Sequence, residues 1–127
     1  MTDAPQRAFT LDNLFRIAEW HHTLAWTSFR DGVDIFRLSG DGKSGSTSAL
    51  LRFQPGACVP LHEHVGYEHI LVLTGSQVDE NGNASAGSLI VNPPSTRHSV
   101  VSESGCIVLA IYERPVAFVD PSGAPPV

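Results

Sequence analysis

The sequence predicts an all-β domain, a small sandwich or barrel preceded by a short helix. Three observations carry this. Beyond residue 46 the chain is a series of short runs rich in branched apolar residues; the runs recur at intervals of about ten residues; and turn-forming pairs separate them. At 127 residues the chain suffices for one domain with one core.

Residues 1–25 form an N-terminal segment in which Leu11, Leu14, Phe15 and Ala18 recur at helical spacing, with Thr10 as the expected cap. From Trp26 the pattern changes. Val33, Ile35 and Arg37 alternate with Asp34, Phe36 and Leu38, and Asp31-Gly32 is a turn signal, so strands are expected on both sides of it. Residues 40–46, GDGKSGS, read as a loop. Strands are then expected over 48–54, 59–64, 68–73, 88–91, 98–102 and 106–112. Pro55-Gly56 turns the first of these. Gly75 is expected to end the third, at a corner that needs a positive φ. Asn81-Gly82 is the strongest hairpin dipeptide, Pro93-Pro94 breaks the fourth run, and Glu103-Ser104-Gly105 joins the last two. The barrel thus occupies 26–119, and 120–127, DPSGAPPV, is a proline-rich tail, either disordered or extended.

Composition narrows the function classes. Eight basic against thirteen acidic residues leave a net charge of −5, which argues against nucleic acid, where affinity comes from neutralising phosphates. No like-charge run suggests a membrane-binding tail, and the longest apolar run, 106–112, is far too short to span a bilayer. The N-terminus has no signal-peptide core, so the chain reads as soluble and cytoplasmic. Cys58 and Cys106 do not make a disulfide framework. They read as buried free thiols, with a redox role or a mutual pairing left open.

The stretch from Gly56 to Gly75 carries the chemistry. It reads G-x5-H-x-H-x3-E-x6-G and sets His62, His64 and Glu68 between two glycines. Such a match arises by chance on the order of once in ten thousand chains of this composition. Residues two apart on a strand share a face, so His62 and His64 aim the same way. A tight turn through Gly66 lets the next strand return with Glu68 near its start. Glu68, Ile70 and Val72 then share the site face, and His69 points away. His98 is the fourth candidate, from a separate strand pair. Three imidazoles and a carboxylate suit Fe(II) or Zn(II), with Ni(II) or Mn(II) also compatible, and leave positions open for water, dioxygen or substrate. Arg52, Ile70, Val72 and Val100 are candidate pocket-lining residues. His21, His22 and His69 read as ordinary core or surface histidines, and Glu63 as a solvated carboxylate.

These motifs resemble the cupin family over roughly residues 48–112. The first cupin motif matches throughout. In the second, G-x5-P-x-G-x2-H-x3-N, Gly87, Pro93 and His98 match, while Ser95 replaces the glycine and Ser102 the asparagine. The resemblance implies a small jelly roll with one divalent metal in its mouth, held by His62, His64, Glu68 and His98. The turn before His98 is expected to be looser. The run RDGVDIFRLSGDGKSGSTSALLRFQPGA, then HEHVGYEHILVLTG, DENGN, NPPSTRHS and ESGC, looks like the cupin domain of ChrR-type anti-sigma factors, whose type is shared by stand-alone cupins resembling small dioxygenases. In those anti-sigma factors a separate N-terminal zinc module grips the sigma factor. About thirty residues precede the first strand pair here, with no cysteine among them, so anti-sigma activity is not expected.

Three functions compete: a metal-dependent dioxygenase acting on a small molecule, a zinc-binding sensory or regulatory module without catalysis, and a sugar isomerase or epimerase. The last wants positive charge that the strands supply only at Arg52 and Arg97. Phe15, Trp20 and Trp26 are bulky for a chain edge, and open sheet edges invite pairing, so a homodimer burying part of residues 9–38 is expected.

Overall fold

The structure, a computed structural model, describes residues 7–119; the tail expected over 120–127 lies outside them. Ten strands follow a short helical segment: β1 (Thr27–Arg30), β2 (Val33–Ser39), β3 (Thr47–Phe53), β4 (Ala57–Glu63), β5 (Glu68–Asp79), β6 (Gly82–Ser85), β7 (Leu89–Asn92), β8 (Arg97–Ser102), β9 (Cys106–Tyr112) and β10 (Ala117–Phe118). All pairings are antiparallel, in the order β1-β2-β3-β9-β5-β8-β4-β10, with β6 and β7 also paired to β5. The sheet curls into a barrel of cupin type.

β5 is the hinge of this architecture. Its first half pairs with β7 and β9, its second half with β6 and β8. Gly75 was expected to end this strand; instead the strand runs through it and changes sheets there. Its φ of +70° is open to glycine at no steric cost, and the register against β9 shifts between Val72 and Thr74. The hairpin predicted at Asn81-Gly82 is present but displaced by one residue. Glu80 and Asn81 form its loop, Asp79 pairs with Gly82, and Asp79 Oδ1 accepts the amide of Asn81 at 2.7 Å.

Alternation sorts the side chains into two cores. Inside the barrel, Val33, Phe53, Ile70, Val72, Val100, Cys106, Val108 and Ala110 pack together. On the outer face, Leu50, Leu73 and Ile107 are covered by the N-terminal segment through Ile17, which is fully buried. Burying one such side chain stabilises by roughly 1.5–3 kcal/mol. The single predicted helix is broken into a 3-10 turn over Leu14–Arg16, one α-turn, α1 (Ile17–Trp20), and a second 3-10 turn over His21–Thr23. Asn13, not Thr10, precedes the first turn, at φ 55° and without a side-chain cap. The segment is held by its apolar contacts and by two indoles: Trp20 Nε1 donates to Asn13 O at 2.9 Å and Trp26 Nε1 to His21 O at 2.7 Å. Trp20 and Trp26 therefore pack against their own barrel and are half-buried, while Phe15 stays 83% exposed.

Cys106 is buried as expected, but Cys58 is exposed, and both are free thiols.

Candidate metal centre

His62 and His64 occupy the end of β4 and the turn after it, Glu68 opens β5, and His98 lies on β8 directly opposite His62. All four are buried, and one ligand atom from each lies within 4.8 Å of every other. Ligands on opposite sides of an ion, with bonds of about 2.1 Å, stand about 4.2 Å apart. The four donors thus converge on one point at a spacing close to what a single ion can span. The three rings pack edge to face, with centroids 4.6–5.2 Å apart.

The proton positions follow from the partners. His62 Nδ1 lies 2.8 Å from Pro60 O, and His64 Nδ1 lies 3.1 Å from Thr96 O. A carbonyl oxygen only accepts, so both Nδ1 atoms carry a proton, and in the neutral ring that leaves the lone pair on Nε2. His98 Nδ1 meets the Asp79 carboxylate at 2.8 Å in the same sense. His64 Nε2 and His98 Nε2 are buried without a hydrogen-bond partner among the described residues. His64 Nε2 does stand 3.0 Å from Glu68 Oε1. With the ring proton on Nδ1, that approach sets two electron-pair donors face to face, and a cation between donors of this kind relieves the cost of burying them. The donor set, three imidazoles and one carboxylate, fits a divalent transition metal.

The electrostatics agree. Burial holds the His62 ring below its ordinary pKa and keeps it neutral, as a ligand must be. Burial alone would push Glu68 up; a proton on the facing His64 nitrogen and positive charge on the rings would hold the carboxyl below its ordinary value, and a cation at the centre takes that part when the rings are neutral. Asn92 Nδ2 also donates to Glu68 Oε1, at 3.2 Å.

The cluster borders an interior cavity of about 330 Å³. His62, Glu68, His98, Gln77 and Tyr112 are among its polar lining residues, and the rest is largely apolar, including Leu51, Phe53, Ile70, Val100 and Val108. Burial pushes the Tyr112 hydroxyl above its ordinary pKa, so it stays protonated near neutrality. Phe118 of β10 reaches the rim, its ring 5.6 Å from that of His62, with the Arg30 guanidinium 4.9 Å above it. No lysine or arginine is among the described lining residues.

Of the expected pocket residues, Ile70 and Val100 line the cavity. Val72 shares their face but is fully buried in the barrel core. Arg52 belongs elsewhere. On β3 the odd residues Ala49, Leu51 and Phe53 face the interior, so Arg52 lies on the outer face. There it pairs with Asp34 at 2.8 Å, meets His21 Nδ1 at 3.1 Å and stacks 4.5 Å over Trp26. His69 is exposed and stacks on Tyr67, away from the cluster. Glu63 pairs with Arg97 on the surface at 2.9 Å. Ser95 corrects the expected loosening before His98: it adopts φ 72°, the left-handed conformation a glycine would take, and its amide bonds His64 O at 2.8 Å. Ser102 is fully buried and donates to Ser76 O at 2.6 Å.

Sequence reasoning missed the residues that orient the ligands. Thr96, Asp79 and Asn92 lie 32, 19 and 24 positions from the residues they hold. The only local signal was that Asp79 opens a turn sequence and Asn92 precedes the Pro93-Pro94 break.

Comparison with known proteins agrees with this architecture. The model of the ChrR cupin-like domain matches residues 16–117. The anti-sigma-E factor ChrR of Cereibacter sphaeroides is 34% identical over 95 residues, covering 73% of this chain and 44% of that protein. The chain thus spans less than half the length of that relative. The crystal structure of Rhodobacter sphaeroides SigE in complex with the anti-sigma ChrR is similar at 32% identity, with a TM-score of 0.63 over 71% of this chain and 49% of that one. A putative acetylacetone dioxygenase from Methylibium petroleiphilum PM1 covers 100% of this chain and 91% of its own, with a TM-score of 0.77 at 18% identity, a likeness of fold alone.

Proposed function

The chain belongs to the ChrR cupin-like family, and we propose that within it this protein is a metal-dependent oxidoreductase of dioxygenase type, acting on a small, largely apolar molecule. The observation that carries this reading is the convergence of three histidines and Glu68 beside a largely apolar cavity of about 330 Å³. A site that only braces a fold has no need of such a space beside its ligands.

His62, His64, Glu68 and His98 would hold the ion. A bound Fe(II) would supply redox chemistry and a place for dioxygen and a chelating substrate. The chain's own residues do the rest. The apolar walls bind the hydrocarbon body of the ligand and exclude water. Tyr112 and Gln77, which also line the cavity, would orient its oxygens. With no basic side chain among the described lining residues, the cavity has nothing to recognise a phosphate, which disfavours the sugar isomerase or epimerase reading.

The test loads the protein separately with Fe(II) and with Zn(II) and follows oxygen uptake with small 1,3-diketones and hydroxylated aromatic ketones. Uptake with Fe(II) and none with Zn(II) is the expected result. The likeness to an anti-sigma factor supports a second reading, a zinc-holding regulatory module. No turnover with Fe(II), together with a large rise in melting temperature on adding Zn(II), would favour that reading instead.

A further inference from the structure

We propose that Asp79, at the tip of the β5–β6 hairpin, is a positioning residue for the metal centre, acting through His98; the inference rests on the metal reading above. Of the three histidines, His62 and His64 lean on neutral oxygens, of Pro60 and Thr96. Only His98 of the three sets its Nδ1 against a carboxylate, whereas His64 meets Glu68 through its other nitrogen. The His98–Asp79 contact is 2.8 Å long and almost wholly screened from solvent: the two side chains are 2% and 11% exposed. A carboxylate behind an imidazole fixes the ring's plane, holds the proton on the far nitrogen and strengthens the near nitrogen as a donor.

Asp79 is committed on both oxygens. Oδ2 takes the His98 ring proton and Oδ1 takes the amide of Asn81, which shapes the turn. The next residue, Glu80, grips the same strand from outside: its carboxylate accepts the amide and the hydroxyl of Ser99, each at 3.0 Å. The hairpin tip therefore clamps β8 on both faces of the residue that carries His98. Only the inner half of the clamp touches a candidate ligand. Asparagine at position 79 would offer a single acceptor oxygen, so it could satisfy the turn or the histidine but not both.

The test uses the full chain and four proteins: wild type, Asp79→Asn, Glu80→Gln and His64→Ala. Zn(II) affinity is read by competition with a chromophoric chelator, and the ligand field by Co(II) absorption. We expect Asp79→Asn to bind Zn(II) about 10–100-fold more weakly. Its Co(II) spectrum should shift, and its metal-free melting temperature should fall by only a few degrees, the cost of one lost hydrogen bond. Glu80→Gln should keep wild-type affinity and spectrum. Wild-type affinity and spectrum in Asp79→Asn, or an equal loss in Glu80→Gln, would overturn the proposal. If Asp79→Asn does not fold, Asp79→Glu replaces it, moving the charge by one methylene; a changed Co(II) spectrum is expected, and an unchanged one overturns the proposal. His64→Ala separates the two levels of the reading. Its binding Zn(II) as the wild type does would show that the metal centre itself is misassigned.

Discussion

Gly75 and Gly105 approach so closely that a Cβ built on Gly75 would overlap the Gly105 carbonyl oxygen and lie 3.0 Å from Cys106 Cα. Backbone, not a flexible side chain, fills the space. The same residue sits at φ +70°, where β5 passes from one sheet to the other. Gly75→Ala thus meets steric overlap and backbone strain together. The expected loss is about 3 kcal/mol or more. Chemical denaturation followed by circular dichroism measures it, and a loss below about 1 kcal/mol would contradict the close approach.

Ser95 presents the opposite case. It holds a left-handed φ of 72° without being glycine, and its amide bond to His64 O ties the turn to the metal cluster. Ser95→Gly should remove the strain at a small entropic cost in the unfolded chain, for a net gain of about 0.5–1 kcal/mol. Thermal melts of the metal-free protein should show a rise of a few degrees. A fall would mean that the serine is not strained there.

Neighbouring residues on β5 test the register. Glu68 is buried against His64, while His69 is exposed and stacks on Tyr67. His69→Ala should leave metal content near wild type. Glu68→Gln should lower it markedly, since it removes the only carboxylate of the candidate set. Elemental analysis of proteins purified side by side decides the matter; the reverse ranking would place Glu68 outside the centre.

The two thiols should differ sharply in reactivity. Cys58 is exposed, whereas Cys106 is 4% exposed and burial pushes its pKa up. At pH 8 an alkylating reagent should label one thiol quickly and the other only on unfolding. The raised pKa of Cys106 also has a sign. Below the unfolded thiol pKa its contribution is fully present; as pH rises through the folded value it is lost, because the unfolded chain gives up its proton first. Stability attributable to Cys106 should therefore decline only in the alkaline range. Rapid labelling of both thiols in the folded protein would refute its placement.

Much of this protein was legible in the sequence because the signals were local. Alternation on β2, the apolar run of β9, the turn at Asp31-Gly32 and the spacing of His62, His64 and Glu68 each depend on a few adjacent residues. The two-residue period of a strand, with Glu68 placed by the ligand spacing, sent Glu68 inward and His69 outward. Tertiary structure decided what local pattern cannot encode. Arg52 alternates correctly on β3, but only the covering N-terminal segment, with Trp26 and His21, made its outer face the half-buried one. Gly75 was legible as a corner, yet continuation of β5 beyond it required partners from β6 and β8. Asp79 and Asn92 reach His98 and Glu68 across 19 and 24 residues. Hydrogen bonds of that kind exist only once the barrel has closed, because curling the sheet brings distant strands to one point, and no spacing along the chain records where they meet.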